Sequence, residues 1–113
     1  MRTVKKAKLL RLHFNEDDQY KGKPLYEAIV NRCRDLRIAG ATVFRGLEGY
    51  GETAEIHRHH FVRKDLPIIV TIVDTPENLE RLIPELEDMM DTGMIATSDV
   101  EYMRIERPPA TGS

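Results

Sequence analysis

The sequence is poor in aromatic residues and in cysteine. It has 113 residues with no tryptophan, 6% aromatic residues and one cysteine, Cys33. A lone cysteine excludes an internal disulfide, so a reducing compartment is the simplest setting, and we expect the cytoplasm. With 41% hydrophobic residues and few rings, the chain is expected to build an aliphatic core.

Long hydrophobic runs and a strong net charge are also missing. No stretch approaches the ~20 apolar residues of a membrane helix, and Arg11 and His13 interrupt the apolar segment near the start, which argues against a signal peptide and membrane insertion. The formal charge of −2 and the isoelectric point near 6.1 argue against a nucleic-acid partner.

Apolar spacing in the first half predicts a strand, a helix and a second strand. Residues 7–14 alternate like a half-buried strand. A helical stripe follows Pro24 and is expected to end at Gly40. Its apolar members are Leu25, Ala28, Ile29, Cys33 and Leu36. Residues 41–47 read as the second strand.

The second half repeats this order. Residues 68–73 form an apolar strand, and Thr75 and Pro76 begin a helix that Pro84 is expected to kink without stopping. Residues 100–105 read as the fourth strand. The order βαββαβ predicts an α+β ferredoxin-like sandwich, an antiparallel sheet with both helices on one face. The domain spans residues 7–107, and residues 108–113 form a flexible tail.

The third strand is apolar on both faces, although two helices cover only one. Ile69, Thr71 and Val73 make up its second face. This face needs a cover, and another subunit is the simplest one. We therefore expect an oligomer.

The long segment between the second and third strands carries three glycines within six residues, Gly46, Gly49 and Gly51. Loops of this length inside a small domain are usually functional or disordered. The glycines either let the backbone close over a ligand or act as hinges of a loop that is ordered by a partner protein. No nucleophile–base motif is recognisable, so we expect no enzyme.

Four segments together carry a family resemblance. They are Gly-Lys-Pro-Leu-Tyr-Glu at 22–27, Gly-Ala-Thr-Val-Phe-Arg-Gly at 40–46, Gly-Tyr-Gly at 49–51 and Asp-Thr-Gly-Met-Ile at 91–95. In these segments and in the order of its elements, the chain resembles the PII-like signalling superfamily, and within it a small bacterial and archaeal branch of domains of unknown function.

The resemblance implies a homotrimer that binds adenine nucleotides in clefts between subunits, with no required cofactor. It implies that the 46–62 loop, the T-loop of that superfamily, reaches an unknown protein partner. The nucleotide-binding positions it implies are Gly46, Gly49, Tyr50, Gly51, Thr92, Gly93, Met94, Arg104 and Arg107. The turn continues Met-Ile-Ala without the further glycines of nitrogen-regulating members, and the setting of Tyr50 differs from that of their modified tyrosine.

Two simpler interpretations stay open. Thr92 and Gly93 can be an ordinary helix end, with Arg104 and Arg107 as solvated arginines. The three loop histidines can belong to a solvated polar loop. They can also be the ligands of a metal-binding trimer that resembles the cation-tolerance proteins. These are His57, His59 and His60.

Overall fold

The computed structural model describes residues 3–50, the strand backbone of His57–Arg58 and residues 65–107. Four strands form one sheet: β1 (Val4–Asn15), β2 (Ala41–Arg45), β3 (Pro67–Asp74) and β4 (Met94–Met103). They lie in the order β2-β3-β1-β4 and every neighbouring pair is antiparallel. Two helices, α1 (Leu25–Asp35) and α2 (Pro76–Met89), complete the predicted α+β ferredoxin-like fold.

Two short strand pairs lie outside this sheet. Gln19–Tyr20 pairs with Lys23–Pro24 before α1, and Glu48–Gly49 pairs with His57–Arg58 in the long loop. The first pair turns through Lys21 and Gly22, both with positive φ. The predicted tail, residues 108–113, and most of the 46–62 loop fall outside the described residues, which omit 51–56 and 59–64.

The core is aliphatic, as predicted, and lies between the helices and one face of the sheet. Alternate residues of β1 and β3 point into it, and each helix contributes one stripe. Its members from the sheet are Leu10, Leu12, Phe14, Ile68, Val70 and Ile72, and from the helices Leu25, Ile29, Cys33, Leu79, Leu82, Leu86 and Met89. Burial raises the pKa of the Cys33 thiol to about 11, so this cysteine is a small core residue and not a nucleophile.

The end of α1 differs from the prediction that Gly40 terminates it. The helix stops at Asp35, and Arg37 adopts a left-handed φ of 58°. Ile38 is buried, and its N–H donates to the Cys33 carbonyl at 2.9 Å. This is the hydrogen-bond pattern of a Schellman ending. Burial of Ile38 therefore offsets the cost of the left-handed conformation at a non-glycine residue.

The start of α2 was predicted correctly. The Thr75 hydroxyl accepts from the Asn78 N–H at 3.2 Å and Pro76 is the first helical residue. Pro84 does not end the helix, as expected, because α2 continues to Met89. The predicted kink at Pro84 stays a prediction.

A buried carboxylate joins the end of β3 to the segment that follows α1. Asp74 accepts from the N–H groups of Ala39 at 2.9 Å and Thr75 at 2.7 Å, and from the Asn78 amide at 3.0 Å. Burial alone would raise the pKa of Asp74, but these hydrogen bonds outweigh it and hold the pKa below its ordinary value. The ionised form is thus part of the fold.

The fourth strand starts earlier than the predicted 100–105. It runs from Met94 to Met103, paired with β1 from His13 to Val4, and Ile105 lies beyond it, 92% exposed. The prediction was wrong because β4 is an edge strand. Its first half carries exposed Thr97 and Ser98, so it lacks a clear apolar alternation, and backbone pairing with β1 defines it instead.

Strands β1 and β4 continue past the rest of the sheet. Strand β3 ends at Asp74, opposite Lys8, whereas β1 and β4 pair further. Residues 4–7 and 100–103 therefore form a two-stranded ribbon, here called the ribbon. Lys8 and Asp99 form an exposed ion pair of 2.9 Å where it begins.

The sheet face opposite the helices, here called the outer face, bears the predicted second face of β3. Ile69, Thr71 and Val73 are half-buried in the single chain. Phe44 and Met94, in register with Ile69 across the sheet, are 52% and 55% exposed. That another subunit covers this face stays a prediction. No helix in the described part of the chain has the length and apolar character to cross a membrane.

Candidate functional site

The predicted binding residues divide between two opposite ends of the sheet. The first, here called the loop end, contains the base of the long loop and the turn before β4. The second, here called the ribbon end, contains the ribbon, Thr3 and residues 104–106.

At the loop end, two glycines pack against a proline of their own chain. The Gly46 N–H donates to the Pro67 carbonyl at 2.7 Å. A Cβ at Gly46 would lie 2.8 Å from the Pro67 Cγ, and one at Gly49 would lie 3.3 Å from it. Neither glycine has a positive φ. Their role in the described structure is close approach between the two sides of the loop base.

An ion pair lies beside these glycines. Arg45 ends β2, and its Nη2 lies 2.6 Å from the Glu16 Oε2. The Glu16 N–H donates to the Leu66 carbonyl at 2.8 Å. Arg45 was not singled out by the sequence analysis. The available signal was an arginine ending an apolar strand directly before the first loop glycine.

The turn before β4 is packed tightly on β1. Gly93 has a φ of +122°, and a Cβ there would lie 2.5 Å from the His13 carbonyl oxygen and 3.0 Å from the Met90 Cε. Only glycine fits this position without a shift of the backbone. Met94, the next residue, is opposite His13 and is 55% exposed.

Thr92 borders a small cleft of about 60 Å³ that is acidic. The cleft is also lined by Asp18, Gln19, Leu25 and Asp91. The Asp18 carboxylate accepts from the Asn15 N–H at 3.0 Å. Two carboxylates repel a phosphate, so this cleft is unfavourable for an anion.

The ribbon end holds a larger and more basic cleft. It has a volume of about 410 Å³ and is lined by Thr3, Lys5, Tyr102, Arg104 and Glu106. Lys5 and Tyr102 are directly opposite each other in the β1–β4 pairing. Arg107 lies beyond the cleft and is exposed. Lys5 was missed by the sequence reasoning, because only the strand register brings it beside Arg104.

One chain does not bring the two ends together. Strand β4 joins them and has ten residues, which at ~3.3 Å per residue separates Gly93 from Arg104 by roughly 35 Å. The structure thus places Gly46, Gly49, Gly93 and Met94 at one end of the sheet, with Gly46 and Gly93 beside opposite edge strands, and places Arg104 and Arg107 at the other end.

Several predicted residues cannot be placed from these contacts. Tyr50 is 74% exposed. Gly51, His59, His60 and the His57 side chain lie outside the described residues. Within residues 3–50 and 65–107, no three histidine, cysteine or acidic side chains are grouped for a metal ion.

The sheet order, the helices on one face and the long loop at one end are those of the ferredoxin-like fold found in PII-like proteins. The solved structure of CPII, a nitrogen regulatory PII-like protein from Thiomonas intermedia K12 bound to ADP, AMP and bicarbonate, has the same fold. Its TM-score is 0.66 at 17% identity, covering 90% of this chain and 92% of that one. Divalent ion tolerance protein CutA1 from Ehrlichia chaffeensis matches with a TM-score of 0.58 at 18% identity, covering 83% and 80%.

Sequence comparison gives the family. Residues 7–102 match DUF190, described as Uncharacterized ACR, and the chain belongs to this family. A UPF0166 protein of Aquifex aeolicus is 42% identical over 105 residues, covering 91% of this chain and 98% of that protein. A UPF0166 protein of Methanocaldococcus jannaschii is 33% identical over 103 residues, covering 89% and 95%. The chain is therefore a member of a family with bacterial and archaeal representatives, and its fold is PII-like.

Proposed function

We propose that this protein is a non-enzymatic PII-like regulatory protein that binds an adenine nucleotide between the subunits of a homotrimer. In this proposal the 46–62 loop acts on a partner protein, and nucleotide binding changes how that loop engages it. The observation that carries the proposal is the separation of two half-sites, a glycine-rich loop end and a basic ribbon end, at opposite ends of one strand.

A ring of subunits makes one site from two such halves. The ribbon end of one subunit meets the loop end of the next, and a head-to-tail contact of this kind closes into a ring when the rotation fits. The half-buried outer face around Ile69, Thr71 and Val73 supports the same assembly, since a neighbour would complete its burial.

The chemistry of the ribbon end supports an anionic ligand. Arg104 presents a planar guanidinium suited to phosphate oxygens, with Lys5 in the same cleft. Tyr102 adds an aromatic ring to the lining of that cleft. The PII-like protein from Thiomonas intermedia carries ADP and AMP in its structure, which makes adenine nucleotides the first ligands to test.

Isothermal titration calorimetry with ADP and ATP tests the proposal, using Arg104→Ala as the decisive variant. An arginine–phosphate contact contributes about 1.5–3 kcal/mol, so the variant is expected to bind roughly ten- to a hundredfold more weakly. Light scattering of the variant should match the parent. Arg104→Lys keeps the charge without the bidentate geometry and should restore binding only in part.

Equal nucleotide binding by the parent and Arg104→Ala would show that Arg104 is a solvated residue and would remove the phosphate-site assignment. Arg34→Ala is a matched control, because Arg34 is an exposed arginine in the last turn of α1 and lines neither cleft. It should bind as the parent does.

A metal-binding trimer is the second candidate function. The similarity in fold to a divalent ion tolerance protein favours testing it. The same titration with zinc and copper decides between the two. Tight metal binding that is lost when His57, His59 and His60 are replaced by alanine, together with no nucleotide binding, would place the metal function ahead.

A further inference from the structure

Glu16 connects the two sides of the long loop, one through its backbone and one through its side chain. Its N–H donates to the carbonyl of Leu66, the residue before β3. Its carboxylate pairs with Arg45, the last residue of β2, at 2.6 Å. The loop base is thus fastened to the end of β1 at both points.

The two partners of this ion pair have very different exposure. The Glu16 side chain is 7% exposed, whereas the Arg45 side chain is 56% exposed. A guanidinium carries five N–H donors, and one carboxylate oxygen uses only part of them. More than half of the Arg45 side chain is open to solvent, and the residue precedes Gly46 in the glycine-rich half of the proposed site.

The charges around Arg45 give it a distinct position at this end of the sheet. Asp17 and Asp18 follow Glu16, and Asp91 lies with Asp18 in the small acidic cleft near the turn. An anion that reaches the loop end is repelled by these carboxylates and attracted by Arg45. Among the residues that the structure describes here, the Arg45 guanidinium offers a phosphate a favourable contact at this end.

We propose that Arg45 is an anion-binding residue of the loop end and that Glu16 competes with the ligand for it. This inference rests on the proposed function and adds how its site is regulated. In the unliganded protein Glu16 holds Arg45. A phosphate-bearing ligand takes over donors of Arg45 and weakens the Glu16 contact that fastens the end of β2.

Competition by Glu16 has a direct consequence for affinity. Removing the negative charge of Glu16 while keeping its shape frees Arg45 for the ligand. Glu16→Gln is therefore expected to bind ADP about 3–10-fold more tightly than the parent. Arg45→Gln is expected to bind about tenfold more weakly or worse, and Arg45→Lys to lie between Arg45→Gln and the parent.

The experiment is ADP calorimetry on these variants, with Asp17→Asn as the matched control. Asp17 is the exposed acidic residue next to Glu16, so its replacement removes the same charge without touching the ion pair. Asp17→Asn should raise the affinity by less than Glu16→Gln does. Circular dichroism and light scattering confirm that each variant is folded and assembled, and Arg45→Lys keeps the test valid if Arg45→Gln is not.

Amide exchange measured by NMR provides a second readout. The Gly46 N–H bonded to Pro67 should exchange faster in Glu16→Gln than in the parent or in Asp17→Asn. ADP should move the exchange of this amide in the parent toward that of Glu16→Gln. A solely structural ion pair would give faster exchange in the variant but no response to ADP in the parent.

The outcomes separate this inference from the proposed function. Equal ADP affinity in the parent, Glu16→Gln and Asp17→Asn, with Arg104→Ala still impaired, would overturn the role of Arg45 and Glu16 and leave the proposed function standing. Parent-like binding by Arg45→Gln would do the same. No ADP binding by the parent would remove the proposed function and this inference with it.

Discussion

The two ends of the sheet are built in opposite ways. At the loop end, side chains and backbone of the same chain occupy the space: Gly46 contacts Pro67, and Gly93 contacts the His13 carbonyl. At the ribbon end, two strands pair through their backbones while Val4 and Met103 remain 50% and 51% exposed. The loop end is shaped by its own chain, whereas the ribbon end presents its side chains outward.

This difference shows where a partner is needed. A ribbon with exposed apolar residues and a basic cleft has more to gain from contact with another molecule than the closely packed loop end has. If that molecule is a second subunit, the exposed Arg104 meets a loop end whose conformation is already set by contacts within its own chain. In the proposed trimer the loop end therefore contributes most to stability, and both ends contribute charged groups that recognise the ligand.

The largest effect is expected from a variant that prevents the subunits from assembling, because the loop end of one subunit then no longer meets the ribbon end of the next. Val73→Glu places a charge on the outer face opposite Leu9, and burying it in an interface costs on the order of 3–5 kcal/mol. Light scattering at micromolar concentration should give a monomer, with loss of ADP binding. Thr71 is a poorer choice because Arg11 lies opposite it and can pair with a glutamate.

Asn31→Glu, on the exposed side of α1, is the control for the added charge and should assemble normally. A Val73→Glu protein that still assembles as the parent does would show that the outer face is not the subunit contact.

A smaller loss of stability is expected when the packing of the loop end is disturbed. Gly93→Ala introduces a Cβ at 2.5 Å from a backbone oxygen, at a positive φ, and should destabilise the protein by about 2–4 kcal/mol. Gly40→Ala meets no atom within 4 Å and should change the free energy of unfolding by less than about 0.5 kcal/mol. Urea denaturation of both variants measures the contrast, and equal stabilities would refute the tight packing described for the turn.

The smallest of the three effects concerns the place where the four-stranded sheet gives way to the ribbon. Asp74→Asn keeps the size of the side chain but removes the ionised acceptor of three hydrogen bonds, at an expected cost of about 1–3 kcal/mol at pH 7. Because the pKa of Asp74 is lowered by folding, its stabilisation is complete above the unfolded pKa of ~3.9 and is lost as the pH falls through the folded value.

Denaturation of the parent and Asp74→Asn at pH 7 and at successively lower pH should therefore show a difference that narrows in acid. A difference independent of pH would mean that the ionised form of Asp74 contributes nothing special to the fold.

Much of the fold was predictable because it depends on local spacing. The alternation of Leu10, Leu12 and Phe14 and the capping sequence at Thr75 define their elements without help from distant residues. The end of α1 was not predictable, since the burial of Ile38 decides it. The start of β4 depends on pairing with β1 across the chain.

The candidate site was predictable only in its residue types. Glycines and arginines indicated where to look, and the family resemblance supplied the ligand class. The Glu16–Arg45 pair joins residues far apart in sequence, and Lys5 reaches the Arg104 cleft only through strand register. Residue spacing along the chain predicts neither contact, because both depend on how the strands are ordered in the sheet.

The claim that each nucleotide site is shared between two subunits is tested most directly by ADP calorimetry on mixed assemblies of two defective chains. Arg104→Ala removes the ribbon-end contact, and Thr92→Glu adds a repelling charge to the exposed turn at the loop end. Each variant alone should bind ADP weakly. After unfolding and refolding together in equal amounts, the mixture should regain tight binding in about one quarter of its sites, because an intact loop end then meets an intact ribbon end by chance. A mixture that binds no better than the two variants measured separately would contradict a site shared between subunits.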